Sequence, residues 1–249
     1  MNDLFSLDGR IVVLTGASSG LGDRFARVLH AAGATVVLGA RRIDRLEALA
    51  AELGDRVVTV ACDVAVDADC ERLIEAAGPR IDVLVNNAGI GSTYPAEDEP
   101  IEHWRQVVDV NLTGLFVLCQ LAGRKMLEQR SGSIVNIASM LGLVASAPIK
   151  QASYCATKGA VVNLTRELAC EWARKGVRVN AIAPGWFPSE MTDDMLDDEA
   201  SVSFLQRNCP MARAGAVEEL DGALLFLASE ASTYVTGVTI PVDGGWTAR

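Results

Sequence analysis

Seven short runs of nearly continuous apolar, largely β-branched residues recur along the chain, at 11–14, 35–38, 57–61, 83–85, 133–137, 177–183 and 238–242. Strands written this way have no polar face to give to water, so they call for cover on both sides. Longer helical stretches fill the intervals, for example 22–32, 42–53, 68–77 and 217–229. Strand alternating with helix predicts an α/β fold with a parallel, doubly wound sheet of Rossmann type, about seven strands with helices on both faces. No linker, internal repeat or composition break divides the 249 residues, so residues 1–249 are expected to form one domain. Two segments depart from simple alternation. Residues 101–129 suit one extended helix or two joined ones. Residues 187–213 carry Pro188, Asp193, Asp194, Asp197, Asp198 and Glu199 between core elements, as either a lid or a pair of solvated helices.

The strand at 11–14 runs into Thr15-Gly16-Ala17-Ser18-Ser19-Gly20-Leu21-Gly22, and a helical pattern starts at once. Glycines let backbone amides approach a pyrophosphate, and a helix N-terminus adds favourable dipole charge. The spacing Gly-x-x-x-Gly-x-Gly departs from the more common Gly-x-Gly-x-x-Gly, but its place between strand and helix supports a dinucleotide site. A cofactor with a free ribose 2′-hydroxyl normally meets a carboxylate at the end of the second strand. Here that place reads Gly39-Ala40-Arg41-Arg42. Arg41 suits a charge-assisted, bidentate bond to a 2′-phosphate, so NADP(H) is preferred over NAD(H), which stays the alternative. Arg41 and Arg42 can also be read as a solvated helix start, and Asp44, the nearest acid, falls in the first helical turn, where it suits the dipole.

Tyr154 and Lys158 stand at i and i+4. On one helix face they lie roughly 6 Å apart along the axis. A nearby ammonium favours the phenolate, so the pair is expected to lower the tyrosine pKa and make it a usable acid and base near neutrality. Two surface residues often share this spacing, and the pair gains meaning from what surrounds it.

The net charge of −10 argues against nucleic acid as the main partner. No run approaches the roughly 18 apolar residues of a membrane span, and the pattern led by Arg10 is not a signal-peptide core. His30 and His103 are isolated, and Cys62, Cys70, Cys119, Cys155, Cys170 and Cys209 show no metal-ligand spacing. These six are expected to be free thiols in a reducing cytoplasm, with no metal site and no membrane partner.

Taken in order, the motifs resemble the short-chain dehydrogenase/reductase family nearly end to end. They are Thr15-Gly16 with Gly20 and Gly22, Asp63-Val64, Asn86-Asn87-Ala88-Gly89, Asn111 within Val110-Asn111-Leu112-Thr113-Gly114, and Ser139. Tyr154 with Lys158, Pro184-Gly185 and the terminal Pro241-Val242-Asp243-Gly244-Gly245 complete the set. The resemblance implies reversible hydride transfer between a nicotinamide cofactor and a ketone or secondary alcohol. Tyr154 would be the acid/base, and Ser139 would bind and stabilise the same substrate oxygen. Lys158 would hold the nicotinamide ribose and depress the tyrosine pKa, and Asn111 would hold a relay water. Gly16, Ser18, Ser19, Gly20, Leu21 and Gly22 would line the phosphates. Asp63 and Val64 would meet the adenine, and Asn87, Ala88 and Gly89 the adjoining ribose. Pro184, Gly185, Phe187 and Ser189 would flank the nicotinamide. Asn86 and Asn87 also suit a purely structural role at a strand end, and Asn111 that of a helix cap or kink. Trp186 and Met191 read as packing residues.

Two departures stand out. Ser139 and Tyr154 lie fifteen positions apart, about two more than is usual in the family, which places a longer loop beside the substrate. Ser189 replaces a common threonine and loses its β-branched restraint. The resemblance leans toward 3-oxoacyl-thioester reductases, with Arg130 and Lys175 as candidate contacts for an acidic carrier. Sugar or polyol dehydrogenases and broad alcohol dehydrogenases share every motif. Preference among them resides in 90–97, 142–151 and 187–213. A noncatalytic dinucleotide sensor is the alternative of another class, disfavoured by the presence of both Tyr154 and Lys158. The resemblance also implies a homotetramer, for which 112–121 and 161–172 carry spare apolar surface.

Overall fold

Val12, Val13 and Leu14 are wholly buried, yet neighbouring side chains leave the strand on opposite sides. Val12 and Leu14 join one hydrophobic cluster and Val13 the other. This strand, β1 (Ile11–Thr15), is the centre of the molecule. It pairs in parallel with β2 (Thr35–Ala40) on one side and β4 (Val83–Asn86) on the other. The computed structural model describes residues 4–91, 93–190, 192 and 198–248. Among these, β3 (Val57–Ala61), β5 (Gly132–Ile137), β6 (Val177–Pro184) and β7 (Thr239–Val242) complete a seven-stranded sheet in the order β3-β2-β1-β4-β5-β6-β7. Every pairing is parallel. The expected strands are all present, most of them a residue or two longer than the apolar runs.

Helices cover both faces. On one side lie α1 (Gly20–Ala31) and α2 (Ile43–Leu53), which bury Phe25, Leu29, Leu46 and Leu49 with Val12 and Leu14. On the other, α3 (Asp67–Ala76) packs Leu73 and Ile74 against Val13 and Val37. The expected helix at 101–129 is continuous but changes pitch. Its parts are α4 (Ile101–Val108), a π-helical turn over Asp109–Gly114, and α5 (Leu115–Gln129). A side chain at Gly114 would fall 2.1 Å from the Val64 carbonyl oxygen, so the turn is pressed against the chain just beyond β3. This 29-residue helical stretch contains an 18-residue window of mean hydropathy 1.3, enough by length and composition for a membrane span. Here its apolar side, including Leu115, Leu118, Cys119, Ala122 and Met126, is core.

Among the described residues three α-helices follow: α6 (Ala152–Trp172), α7 (Glu199–Asn208) and α8 (Asp221–Ala228). The helix α7 lies in the 187–213 segment. Its N-terminus is capped by the Asp198 carboxylate, which accepts from Ser201 N at 2.8 Å. Met191, Asp193, Asp194 and Asp197 lie outside the described residues. Because the strand order reverses beside β1, the chain parts on either side of the β1 and β4 ends and leaves a crevice there. Ligands of open α/β sheets bind in such a crevice.

Candidate active site

The crevice is a cleft of about 430 Å³, and its floor is the turn after β1. Gly16 has a φ of +67°, and a side chain there would meet Ala88 Cα and Asn87 Nδ2 at 2.9 Å. At Gly22 a Cβ would lie 2.0 Å from the Gly16 carbonyl oxygen. No larger residue fits, so the backbone itself forms the surface that a ligand meets. The Thr15 hydroxyl accepts from Asn87 N and Ala88 N at 3.1 Å each, and Asn87 Nδ2 donates to Thr15 O at 3.0 Å. Asn87 therefore staples the glycine turn to the end of β4, the structural role anticipated for it, while it also lines the cleft. Ser19 gives α1 no side-chain cap, which leaves amides of the first turn for an anion.

At the adenosine end, Ala40 closes β2 where a carboxylate would be needed to bind a free 2′-hydroxyl. Arg41 lines the cleft with an exposed side chain that has no partner among the described residues. Arg42 is the engaged one. Its guanidinium reaches Ser18 Oγ at 3.3–3.4 Å, Ser19 Oγ at 2.7 Å, and the Glu190 carboxylate at 2.9 and 3.1 Å. Asp63 and Val64 lie on the opposite wall, with the Asp63 carboxylate accepting from Ala65 N at 3.0 Å.

At the other end, Ser139 follows β5 and accepts from Leu141 N at 3.1 Å, which leaves its hydroxyl hydrogen free to point elsewhere. Tyr154 and Lys158 rise from the first turns of α6, with the Lys158 Nζ 5.6 Å from the tyrosine ring centre. Lys158 is buried and donates to Ile137 O at 2.7 Å. Burial pushes its ammonium down to about 8. Burial also raises the Tyr154 phenol above its ordinary value, with the Ser139 hydroxyl acting in the opposite sense. This corrects the expectation of a depressed tyrosine. Spacing along a helix fixes proximity, but desolvation of the phenolate sets the direction of the shift. Asn111, in the π-helical turn, is almost wholly enclosed and lies behind the cleft wall. It both accepts from Ile90 N and donates to Ile90 O at 2.8 Å. A side chain at Gly89 would lie 3.4 Å from Asn111 Oδ1 and 3.5 Å from Lys158 Nζ, so the two groups converge on one glycine. Pro184, Gly185, Phe187 and Ser189 close this end, and Phe187 is also packed hard against Gly215.

The profile of the family described as enoyl-(acyl carrier protein) reductase matches residues 16–247. Over 98% of its length the chain is 41% identical to the galactitol 2-dehydrogenase (L-tagatose-forming) of Cereibacter sphaeroides, covering 97% of that protein. It is 37% identical to a 3-oxoacyl-(acyl-carrier-protein) reductase of Rickettsia felis, with 97% and 98% of the two chains aligned. Among solved structures, a gluconate 5-dehydrogenase from Burkholderia cenocepacia in complex with NADP and tartrate superposes with a TM-score of 0.93 at 39% identity, covering 99% of this chain and 98% of that one. The chain belongs to the short-chain dehydrogenase/reductase family.

In this short-chain dehydrogenase/reductase, the longer connection from Ser139 to Tyr154 is tied down rather than loose. Tyr94 N donates to Lys150 O at 3.0 Å, a bridge joins Tyr94 to Gln151, and Ser146 Oγ reaches Gln151 at 3.2 Å. Of the expected cofactor residues, all lie on one cleft, and of the catalytic set only Asn111 does not line it. Trp186 packs edge-on against Trp246 with ring centres 5.8 Å apart, as a packing residue should. The sequence reading missed Glu190 and, for Arg42, saw the start of α2, where it does stand, but not its contacts across the cleft. No local signal marks Glu190, because its partners are 145 to 171 residues away. Also missed was the buried Asn86–Asn136–Thr165 chain beneath the cleft, linked at 2.9 and 3.0 Å.

Proposed function

We propose that this chain is a cytoplasmic, NADP(H)-dependent oxidoreductase that interconverts a ketone and a secondary alcohol, with polyols and sugar-derived hydroxy acids as its substrate class. The observation that carries this reading is the gathering of Ser139, Tyr154 and Lys158 at one end of a cleft floored by side-chain-free backbone. The cleft residues fit the cofactor. Gly16, Ser18, Gly20, Leu21 and Gly22 would hold its pyrophosphate, Asp63 and Val64 the adenine, and Arg41 with Arg42 and Ser19 the 2′-phosphate. Asn87, Ala88, Gly89 and Lys158 would hold ribose, and Pro184, Gly185, Phe187 and Ser189 the nicotinamide. The bound nicotinamide would supply or accept the hydride.

The chain's own residues manage the proton and the oxygen. The Tyr154 phenol, held protonated at neutral pH by its raised pKa, donates to the oxygen of a ketone undergoing reduction. Ser139, with its own acceptor side already filled by Leu141 N, directs its hydrogen at the same oxygen and stabilises developing charge. Lys158, pinned by Ile137 O and titrating near neutrality, restores the proton to Tyr154. Asn111 fixes the Ile90 backbone beside that path and would hold the relay water.

The substrate class rests on the polyol and gluconate enzymes among the relatives. A second reading, reduction of a 3-oxoacyl thioester, is favoured by one feature. Tyr154 belongs to an apolar cluster with Val144, Trp186, Phe204 and Trp246, a wall suited to an acyl chain. Purified protein is assayed with NADP⁺ against polyols and aldonic acids, and with NADPH against 3-oxoacyl thioesters. Turnover of the first group alone supports the proposal, turnover of the thioesters alone replaces it with the second reading, and NADPH binding without turnover of any carbonyl points to a sensor. A homotetramer is part of the reading, supported by Phe116 standing 42% exposed on α5 between half-buried Leu112, Val117 and Leu121. A monomer mass by light scattering would overturn it. The cytoplasmic assignment is supported by six cysteines, none of them paired.

A further inference from the structure

Anion-binding donors at the adenosine end of the cleft are already occupied, by a carboxylate from the chain itself. Glu190 follows β6 and reaches across to the turns after β1 and β2. Its Oε1 accepts from Arg42 at 3.1 Å and from Arg45 at 2.5 Å. Its Oε2 accepts from Arg42 at 2.9 Å and from Ser19 Oγ at 3.0 Å. The arginines hold the carboxyl down to about 2, so it is an anion at any working pH. Glu190 and Asp63 are the only acids among the described residues lining the cleft, and Glu190 alone contacts the basic side chains there. A carboxylate facing a site for phosphates repels its ligand unless it is moved.

The geometry points to Glu190 as an internal competitor for the 2′-phosphate, a residue that weakens NADP(H) binding by filling the Arg42–Ser19 donors this phosphate would take. This rests on the NADP(H) reading above. A phosphate monoester carries close to two charges and three acceptor oxygens, against one charge and two oxygens for the carboxylate. It therefore displaces Glu190 from Arg42 at the expense of that ion pair. A cofactor without the phosphate leaves the pair in place. Glu190 is half-exposed, at 49%, and Arg42 39%, so the pair is a screened surface interaction of modest strength.

The test is calorimetric titration of wild type and Glu190→Gln with NADPH, NADH, adenosine 2′,5′-bisphosphate and adenosine 5′-phosphate. Removing the charge should tighten NADPH and the bisphosphate by about two- to five-fold, as expected for loss of one surface ion pair. NADH and the monophosphate should change by less than about two-fold. Glu190→Asp, too short to reach both arginines, should behave like the glutamine variant. Unchanged or weaker NADPH binding in both variants overturns the inference, the weaker case making Glu190 a clamp on the bound cofactor. A wild type that binds adenosine 5′-phosphate as well as the bisphosphate overturns the NADP(H) reading itself, whatever the variants do.

Discussion

Replacing Lys158 with methionine should make the free protein more stable while abolishing its chemistry. The side chain is 4% exposed, and its only hydrogen bond among the described residues is to Ile137 O. Burial lowers its pKa from 10.5 to about 8. At roughly 1.4 kcal/mol per pKa unit, the ammonium carries on the order of 3 kcal/mol of desolvation cost at pH 7. Methionine matches the stem in length and needs no partner, but it leaves the Ile137 carbonyl without its donor, a loss of about 1–2 kcal/mol. The net expectation is a gain of about 1–2 kcal/mol, or a rise of roughly 2–8 °C in Tm for a chain of this size. The sign with pH follows from the same values. A folded pKa below the unfolded one means that the native state binds fewer protons, so wild type regains stability as pH climbs from about 8 towards 10.5. Urea denaturation of both proteins without cofactor, at pH 7 and again near pH 10, reads the effect. The variant should lead at pH 7, and the gap should close at the higher pH. A variant less stable at pH 7, with a gap that ignores pH, would refute the claim that a strained ammonium is held in this site.

Gly22→Ala forces a Cβ to within 2.0 Å of a backbone oxygen, and should cost about 1–3 kcal/mol in urea denaturation along with NADPH binding. Gly222→Ala in α8, where nothing lies within 4 Å, should be neutral or slightly stabilising in the same assay. Arg41→Ala should weaken NADPH by about tenfold or more, the worth of a charge-assisted bond, and leave NADH nearly unchanged in a fluorescence titration. Because the Tyr154 pKa is raised, kcat/KM for alcohol oxidation should climb with pH into the alkaline range while ketone reduction falls there, and a flat pair of profiles would contradict this assignment.

The parts of the molecule legible in sequence were those governed by local rules. Apolar runs marked all seven strands, most cleanly β1, β2 and β4, which are buried almost throughout. The glycine turn was legible because Gly16 and Gly22 face a hard steric limit. What escaped depends on burial or on contacts distant in sequence. The i, i+4 spacing placed Lys158 near Tyr154, yet the direction of the phenol's shift is set by the surrounding core of Met140, Leu141 and Trp246. Arg42 does stand at the start of α2, but its second role appears only when Glu190 arrives from beyond β6. The change of pitch at Asp109–Gly114 was hidden for a similar reason: Gly114 yields to a carbonyl fifty residues earlier in the chain.

Tyr154 transfers the proton in a site that should bind cofactor independently of it. The direct measurement is Tyr154→Phe, with NADPH affinity by fluorescence titration and turnover on the preferred substrate by nicotinamide absorbance. Removing only the hydroxyl should leave NADPH binding within about two-fold and lower kcat by ~10²-fold or more, the range of a positioned acid. Turnover like that of wild type would remove Tyr154 from the chemistry.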